Sequence, residues 1–446
     1  MRKRTGACGP VWTEGEAMKT WAQFAWGTGV LAAGIVITVG TLNVRDEVDV
    51  KATAAFAPSN SLIERGAYLA RAGNCMTCHT ARGGARYAGG LGIATPFGTV
   101  YTSNLTPDSN TGIGSWSSAH FWRAMHNGRS KSGRLLYPAF PYTSYTQVTR
   151  ADSDAIFAYL RDQPAVKQSN RPHALGFPFD TQAALAVWRA LYFRPGVYQP
   201  DASRSADWNQ GAYLVNGLGH CSACHSPRDA LGGSSQGRAL AGGLIPMQNW
   251  YAPSLMSPQE AGLGQWEVKN IVTLLQTGVA PGASVSGPMA DVVMGSTQYL
   301  SLPDLKAMAH YLKALPASSP PPESAATPRP AGARFDAETA AKLYEQHCTQ
   351  CHGAKGEGVA GAYPALAGNR AVTMKSTENL VQMVLNGGFA TATASNPRPF
   401  GMPPFVLVLN DQQVAELISH IRTSWGNQAG AVTPLDVNRI RAKQAH

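Results

Sequence analysis

The chain has 446 residues, seven cysteines, and 37 Lys and Arg against 27 Asp and Glu, a formal charge of +10. Charged residues make up 14%, against roughly 25% in an average soluble protein, which excludes an acidic disordered chain and a coiled coil. The length suits roughly two to four domains, and the basic residues form no stripe with interleaved aromatics, so nucleic acid is set aside as a partner.

Residues 1–19 form a short basic N-terminus in which Arg2, Lys3, Arg4 and Lys19 outweigh Glu14 and Glu16. Residues 20–44 carry no charge. At a rise of about 1.5 Å per residue they exceed the roughly 30 Å hydrocarbon core of a bilayer. The run is longer than a signal-peptide apolar core of about 7–15 residues, so a retained transmembrane anchor is expected. Beyond it Asp46, Glu47 and Asp49 outweigh Arg45 and Lys51. The positive-inside rule then leaves the N-terminus cytoplasmic and the bulk of the chain outside.

The first block, 53–170, opens on a helix carrying Gly66-Ala67-Tyr68-Leu69, continues into Cys75-Met76-Thr77-Cys78-His79, and closes on an amphipathic helix around Asp154. An aromatic and Pro-rich connector, 171–200, follows. The second block, 201–316, repeats the plan with Gly211-Ala212-Tyr213-Leu214, Cys221-Ser222-Ala223-Cys224-His225 and a closing helix from Asp304. Residues 317–332 are a semi-rigid Pro/Ala/Ser linker. The third block, 333–430, has Ala340-Ala341-Lys342-Leu343-Tyr344, then Cys348-Thr349-Gln350-Cys351-His352, and a closing helix from Asp411. A tail, 431–446, carries Arg439, Arg441 and Lys443 and reads as solvated.

Six of the seven cysteines thus lie in three C-x-x-C-H units, the attachment signature of c-type haem. Two thiols one helical turn apart add across the two vinyl groups of one porphyrin, and the adjacent His79, His225 or His352 meets the iron from the proximal side. A redox dithiol does not need the histidine. A four-thiolate zinc site uses two units and leaves the third over. The seventh cysteine, Cys8, stands outside every motif as a free thiol. The expected fold is all-α: three cytochrome c domains in tandem behind one N-terminal transmembrane helix, with each haem filling a small core.

Each iron that only passes electrons needs a sixth ligand. Met402, in Gly401-Met402-Pro403-Pro404, is held by a Pro-rich loop and is the choice for the third haem, ahead of Met374 and Met383. Met289, in Gly287-Pro288-Met289, occupies the comparable loop of the second block, whereas Met247, Met256, Met294 and Met308 read as core fillers. In the first block the corresponding loop is Leu136-Tyr137-Pro138-Ala139-Phe140-Pro141-Tyr142, and Phe140 cannot ligate iron. His126 is the chosen ligand there. Met125, His120, His173 and an open iron are the alternatives.

TPFGTVYTSNLTPDSNTGIGSW (95–116), FWRAMHNG (121–128), LYPAFPY (136–142) and SGPMADVVMGSTQYLSLPDLKAMAHYLKALP (286–316) resemble the triple-haem cytochrome c subunit of bacterial membrane-bound dehydrogenases. The likeness runs from about residue 60 to 425. It implies Met289 and Met402 as axial ligands, an inner (cytoplasmic) membrane location with the haem domains in the periplasm, and electron transfer from a dehydrogenase subunit to ubiquinone. The alcohol and gluconate dehydrogenase branches have Met where Phe140 stands. With FPF (177–179), AVWRALYFRPGVYQP (186–200) and WNQGAYLVNGLGHCSACH (208–225), the Phe version resembles subunits serving molybdenum/iron–sulfur dehydrogenases of aldehydes and N-heterocycles. The anchor fits the membrane-bound aldehyde dehydrogenase of acetic acid bacteria. That likeness implies a molybdopterin catalytic subunit and a small iron–sulfur subunit as partners. The alternatives are a pyrroloquinoline-quinone alcohol dehydrogenase as partner, or an open iron in the first block doing peroxidase or oxidase chemistry.

Overall fold

A computed structural model describes residues 14–47, 50, 56–234, 236–318 and 335–443. Arg2, Lys3, Arg4, Cys8 and nearly all of the Pro/Ala/Ser linker lie outside the described residues. The first element is a helix, Glu14–Val44, whose stretch Gln23–Val44 has a mean hydropathy of 1.7 and is exposed along most of its length, with Asn43 near its end buried. Two of its hydroxyls bond its own backbone: Thr28 Oγ1 donates to Phe24 O at 2.9 Å and Thr41 Oγ1 to Thr38 O at 3.0 Å. Such back-bonding suits a helix surrounded by hydrocarbon.

In each of the three blocks the opening helix packs on the closing helix. Asn60–Ala72 packs on Arg150–Arg161, Ala206–Tyr213 on Leu302–Lys313, and Ala337–His347 on Asp411–Thr423. Side-chain caps start each closing helix: Thr149 accepts from Asp152 N, Ser301 from Asp304 N, and Asn410 from Gln413 N. The first two crossings depend on glycine. A Cβ on Gly66 would stand 1.9 Å from Ala155 O, and one on Gly211 would stand 2.0 Å from Ala307 O. The third pair uses Ala340, fully buried.

Gly66 precedes its motif cysteine by nine residues and Gly211 by ten. The additional residue is taken up by a π-helical turn, Leu214–Leu218, that carries the second opening helix on to Cys221. An insertion inside a packed helix is absorbed locally, so both the glycine crossing and the motif keep their places.

The apolar interior forms two clusters among the described residues. One joins the first two blocks: Leu69, Phe157 and Leu160 pack with Leu214, Leu218, Leu305 and Leu312. The other is confined to the third block and includes Leu343, Leu385, Leu417 and Ile418. The reason for the fusion is a pair of reciprocal bonds. Tyr213 Oη donates to Asp152 Oδ2 at 2.6 Å and accepts from Thr149 N at 3.1 Å. Tyr68 Oη donates to Asp304 and accepts from Ser301 N at 3.1 Å. Each opening-helix tyrosine therefore seats on the N-terminus of the other block's closing helix, a pseudo-two-fold arrangement.

The third block joins the second through polar contacts. Tyr251 N donates to Asn379 Oδ1 and Asn379 Nδ2 to Tyr251 O, both at 2.8 Å, and Arg370 Nη1 reaches Gly262 O at 2.8 Å.

The structure is mainly helical and adds short antiparallel ribbons that the all-α expectation did not contain. They include Gly92–Thr95 with Gly98–Tyr101, and Gly243–Ile245 with Trp250–Ala252. These close the Gly-rich segments behind the first two motifs. The connector holds a helix, Gln182–Tyr192, packed on the last turns of the long N-terminal helix. The segment read as a solvated tail carries a further helix, Pro434–Ala442. Val437 and Ile440 are buried there, and Arg441 Nε donates to Asp411 Oδ1 at 2.7 Å.

Candidate functional site

Each C-x-x-C-H unit folds as one tight turn. The backbone N–H of the histidine donates to the carbonyl of the first cysteine: His79 to Cys75 at 3.0 Å, His225 to Cys221 at 2.9 Å, and His352 to Cys348 at 2.9 Å. That i to i+4 bond sets both thiols and the imidazole on one turn. All six thiols are free. Burial pushes Cys75, Cys221 and Cys348 up to about 12, so at neutral pH they are protonated.

The imidazoles are oriented alike. His79 Nδ1 lies 2.7 Å from Ser103 O, His225 Nδ1 2.7 Å from Pro253 O, and His352 Nδ1 3.0 Å from Pro364 O. A carbonyl only accepts, so Nδ1 carries the proton in all three and Nε2 keeps its lone pair. Burial also lowers the three histidines' affinity for protons, which holds them neutral. A fixed tautomer with a free Nε2 is what a metal-ligating histidine needs. These carbonyls orient the imidazoles, and the motif alone does not reveal them. A signal exists in retrospect: each is followed two residues later by leucine, as Ser103-Asn104-Leu105, Pro253-Ser254-Leu255 and Pro364-Ala365-Leu366. The donor set and its geometry fit a haem c in each turn.

The first two motifs lie side by side. Burial raises the Cys78 thiol, and the nearby Cys224 adds to the rise. Tyr145 stands between them, donating to Gly73 O at 3.1 Å with its ring 5.4 Å from His220.

The proposed sixth-ligand positions differ in backbone setting. Met289 sits in the first turn of a helix, Pro288–Gly295, rather than in an irregular loop, because Pro288 at the first helical position pre-sets the backbone. It packs against the shared core. Met402 is in a two-residue strand paired with Gly388–Phe389 and packs against the third core. Gly387, at φ +63°, lets the two segments approach, since a Cβ there would stand 2.2 Å from Met402 O. Phe140 also faces the shared core, its ring 5.3 Å from Tyr145.

His126 is buried on the helix Ser118–Asn127, with Nδ1 2.8 Å from Thr146 O and its ring stacked on Trp122 at 4.6 Å. Its tautomer is that of the three motif histidines. Phe121 and Met125 on this helix belong to the shared core, while Trp122, on which His126 stacks, lies outside it. His173 Nδ1 accepts from Tyr101 N at 3.1 Å and His120 bonds its own N-cap Ser117 at 2.7 Å, so both have structural partners.

The Cytochrome c family matches residues 63–164 and 337–425, the first and third motif-bearing blocks. The cytochrome c subunit of alcohol dehydrogenase (quinone) from Gluconacetobacter polyoxogenes is 39% identical over 400 residues, covering 86% of this chain and 84% of that protein. The chain belongs to the cytochrome c subunits of quinone-dependent dehydrogenases. The gluconate 2-dehydrogenase cytochrome c subunit of Pantoea cypripedii is 37% identical over 92% of this chain and 96% of its own length. A nicotinate dehydrogenase subunit of Pseudomonas putida is 39% identical over 88% of this chain and 33% of that longer protein. Covalently bound haem c and a role in electron transport follow from the family.

Proposed function

We propose that the chain carries three covalent haems c and passes electrons from a molybdenum/iron–sulfur aldehyde dehydrogenase in the periplasm to ubiquinone in the inner membrane. The observation that carries the reading is the equivalence of the three turns, each with paired thiols and a histidine locked through Nδ1. Haem supplies one-electron chemistry at its iron when bound. The chain's own residues position it: Cys75, Cys78 and His79; Cys221, Cys224 and His225; Cys348, Cys351 and His352. Met289 and Met402 are the proposed sixth ligands of the second and third sites, and His126 that of the first.

The His126 assignment rests on its free Nε2, and His126→Ala is its test. Conversion of one haem to a high-spin spectrum that binds carbon monoxide supports it. An unchanged low-spin spectrum leaves His126 with its bond to Thr146 alone. Carbon monoxide binding by the reduced wild-type protein would instead favour an open iron at the first site.

Retention of the N-terminal helix as an anchor is supported by its last turns. Asn43, 8% exposed, donates to Ala186 O at 2.9 Å and accepts from Arg189 Nε at 2.9 Å. Cleavage would strip those partners from the connector.

The choice of a molybdenum partner rests on Phe140 and on the resemblance of the segments quoted with it, and the nicotinate dehydrogenase relative is by its name a dehydrogenase of the N-heterocycle class that resemblance implies. A second reading, a pyrroloquinoline-quinone alcohol dehydrogenase as partner, is favoured by the alcohol dehydrogenase subunit, which is matched over 84% of its length where the nicotinate dehydrogenase subunit is matched over 33%. Purification of the complex in detergent with cofactor analysis separates them. Molybdenum with iron beyond the haem content is expected; pyrroloquinoline quinone without molybdenum overturns the first reading in favour of the second.

A further inference from the structure

Buried polar atoms are almost always hydrogen-bonded in folded proteins, and exceptions call for an explanation such as an unseen ion or ligand. Among the described residues six buried side-chain N or O atoms have no such partner, and four lie at one junction: Arg123 Nε, Arg129 Nε, Arg189 Nη1 and Tyr142 Oη. The junction is where the N-terminal helix leaves its apolar stretch and meets the first block and the connector helix.

The residues are tied together by the helix end. Arg189 Nε donates to Asn43 Oδ1 at 2.9 Å and Arg129 Nη2 to Asn43 O at 3.0 Å. Arg129 Nε and Arg123 Nη1 stand 3.4 and 3.9 Å from the same Glu47 oxygen, ion pairs without hydrogen-bond geometry. Arg123 is 8% exposed, Arg189 3% and Tyr142 0%. Arg189 lies over the Tyr142 ring, 5.2 Å from its centroid, and its guanidinium faces the Tyr142 hydroxyl closely enough to offset part of the rise that burial gives the phenol, short of full hydrogen-bond geometry.

Among the described residues the charges do not balance: three guanidinium groups, which stay protonated in proteins, share one carboxylate, Glu47. The nearby Asp46 is largely exposed and pairs with Arg45 at 3.7 Å. Buried charge without a counter-charge is costly, so the site calls for an anion. Its level is set by the helix: immediately beyond a membrane-spanning run lies the headgroup layer, where phosphate is the abundant anion. Arginine matches phosphate oxygens in a planar fork. A quinone ring offers acceptors but, being neutral, does not offset the charge.

We propose that this junction binds the phosphate of an anionic phospholipid, held by Arg123, Arg129 and Arg189 with Tyr142 as a further donor. The proposal rests on the reading of the N-terminal helix as a retained anchor. A bound lipid here would complete the joint between anchor, first haem block and connector.

The test uses the full-length chain in its complex, purified in detergent. The N-terminus is read by mass spectrometry and extracted lipid is identified. With the anchor present, the protein should retain phosphatidylglycerol or cardiolipin. Arg123→Gln/Arg189→Gln, with haem content unchanged, should lose it and bind added phosphatidylglycerol about tenfold more weakly or worse. Arg204→Gln, a change at an exposed pair with Asp201, should behave as wild type. If the double variant loses haem, Arg189→Lys is read by the same assay and should bind more weakly through loss of the fork.

Several outcomes overturn the proposal: an anchored protein without anionic lipid, equal retention of phosphatidylcholine, undiminished lipid in the variants, inorganic phosphate binding with no need of a lipid, or displacement of the lipid by ubiquinone. A mature N-terminus beyond residue 47 overturns the anchor reading itself, and so identifies which of the two has failed.

Discussion

The first two blocks and the third are built from the same parts and are stabilised differently. In the first pair a shared apolar core and two reciprocal tyrosine–carboxylate bonds make one cooperative body, with the two C-x-x-C-H turns side by side. The third block has a core of its own, is closed by the helix Pro434–Ala442, and meets the second block through amide and guanidinium bonds to backbone. Copies of one plan thus become either halves of a unit or an attached unit, depending on what the opening helix presents. Tyr68 and Tyr213 stand directly after Gly-Ala and reach the neighbouring block. In the third block the corresponding position is Lys342, which pairs with Glu338 of its own helix at 2.6 Å, and the nearby Tyr344 Oη donates within the block, to Gly353 O at 2.7 Å.

The largest expected effect comes from the helix crossings. Gly66→Ala or Gly211→Ala places a Cβ inside van der Waals contact of a backbone carbonyl, which should destabilise the pair by about 3 kcal/mol. Because the core is shared, both of the first two motifs should lose stability together while the third keeps its own melting transition. Unfolding of all three in one step, by calorimetry, would break the distinction.

Tyr213→Phe should cost the pair about 1–2 kcal/mol by leaving Asp152, 3% exposed, with Arg65 alone. Tyr68→Phe should cost less, since Asp304 is less buried and retains Gln210 at 2.9 Å. Combining the two should show coupling in a double-mutant cycle; strict additivity would mean that the reciprocal bonds act independently.

A smaller effect separates the third block. Burial works to raise the Asp411 carboxyl, but Asn438 and Arg441 outweigh it and hold it below its ordinary value. A carboxylate with a depressed folded pKa contributes stability that is fully present above its unfolded value, near 3.8, and is lost as pH falls through the folded one. Arg441→Ala should therefore lower third-block stability by under about 1 kcal/mol at neutral pH and flatten its acid dependence, with no change in the first pair. An equal shift in both transitions would contradict the separation.

Much of the fold was legible in the sequence because the repeat carried it: Gly-Ala-Tyr-Leu, the cysteine turns and the capped closing helices all fall where pattern placed them. The fusion of the first two blocks was not, since a tyrosine after Gly-Ala does not disclose whether it packs at home or next door. The tail helix was missed because its apolar face is narrow, with Val437 and Ile440 as its buried residues. At the proposed sites, spacing alone singles out the thiols and histidines. It does not single out the carbonyls of Ser103, Pro253 and Pro364, because any residue supplies a carbonyl and the choice is made by chain trajectory. The arginines around Asn43 were invisible for a related reason: Arg123, Arg129 and Arg189 come from separate segments that converge only at the end of the N-terminal helix.

The proposed electron-transfer role depends most directly on the number of haems. Haem content of the purified chain, by pyridine haemochrome spectrum against protein concentration with intact mass for covalent attachment, should give three haems per chain. Cys75→Ser/Cys78→Ser and Cys348→Ser/Cys351→Ser should each remove the covalent hold on a single one. Two haems or fewer in fully matured wild-type protein would contradict the equivalence of the three turns on which that role rests.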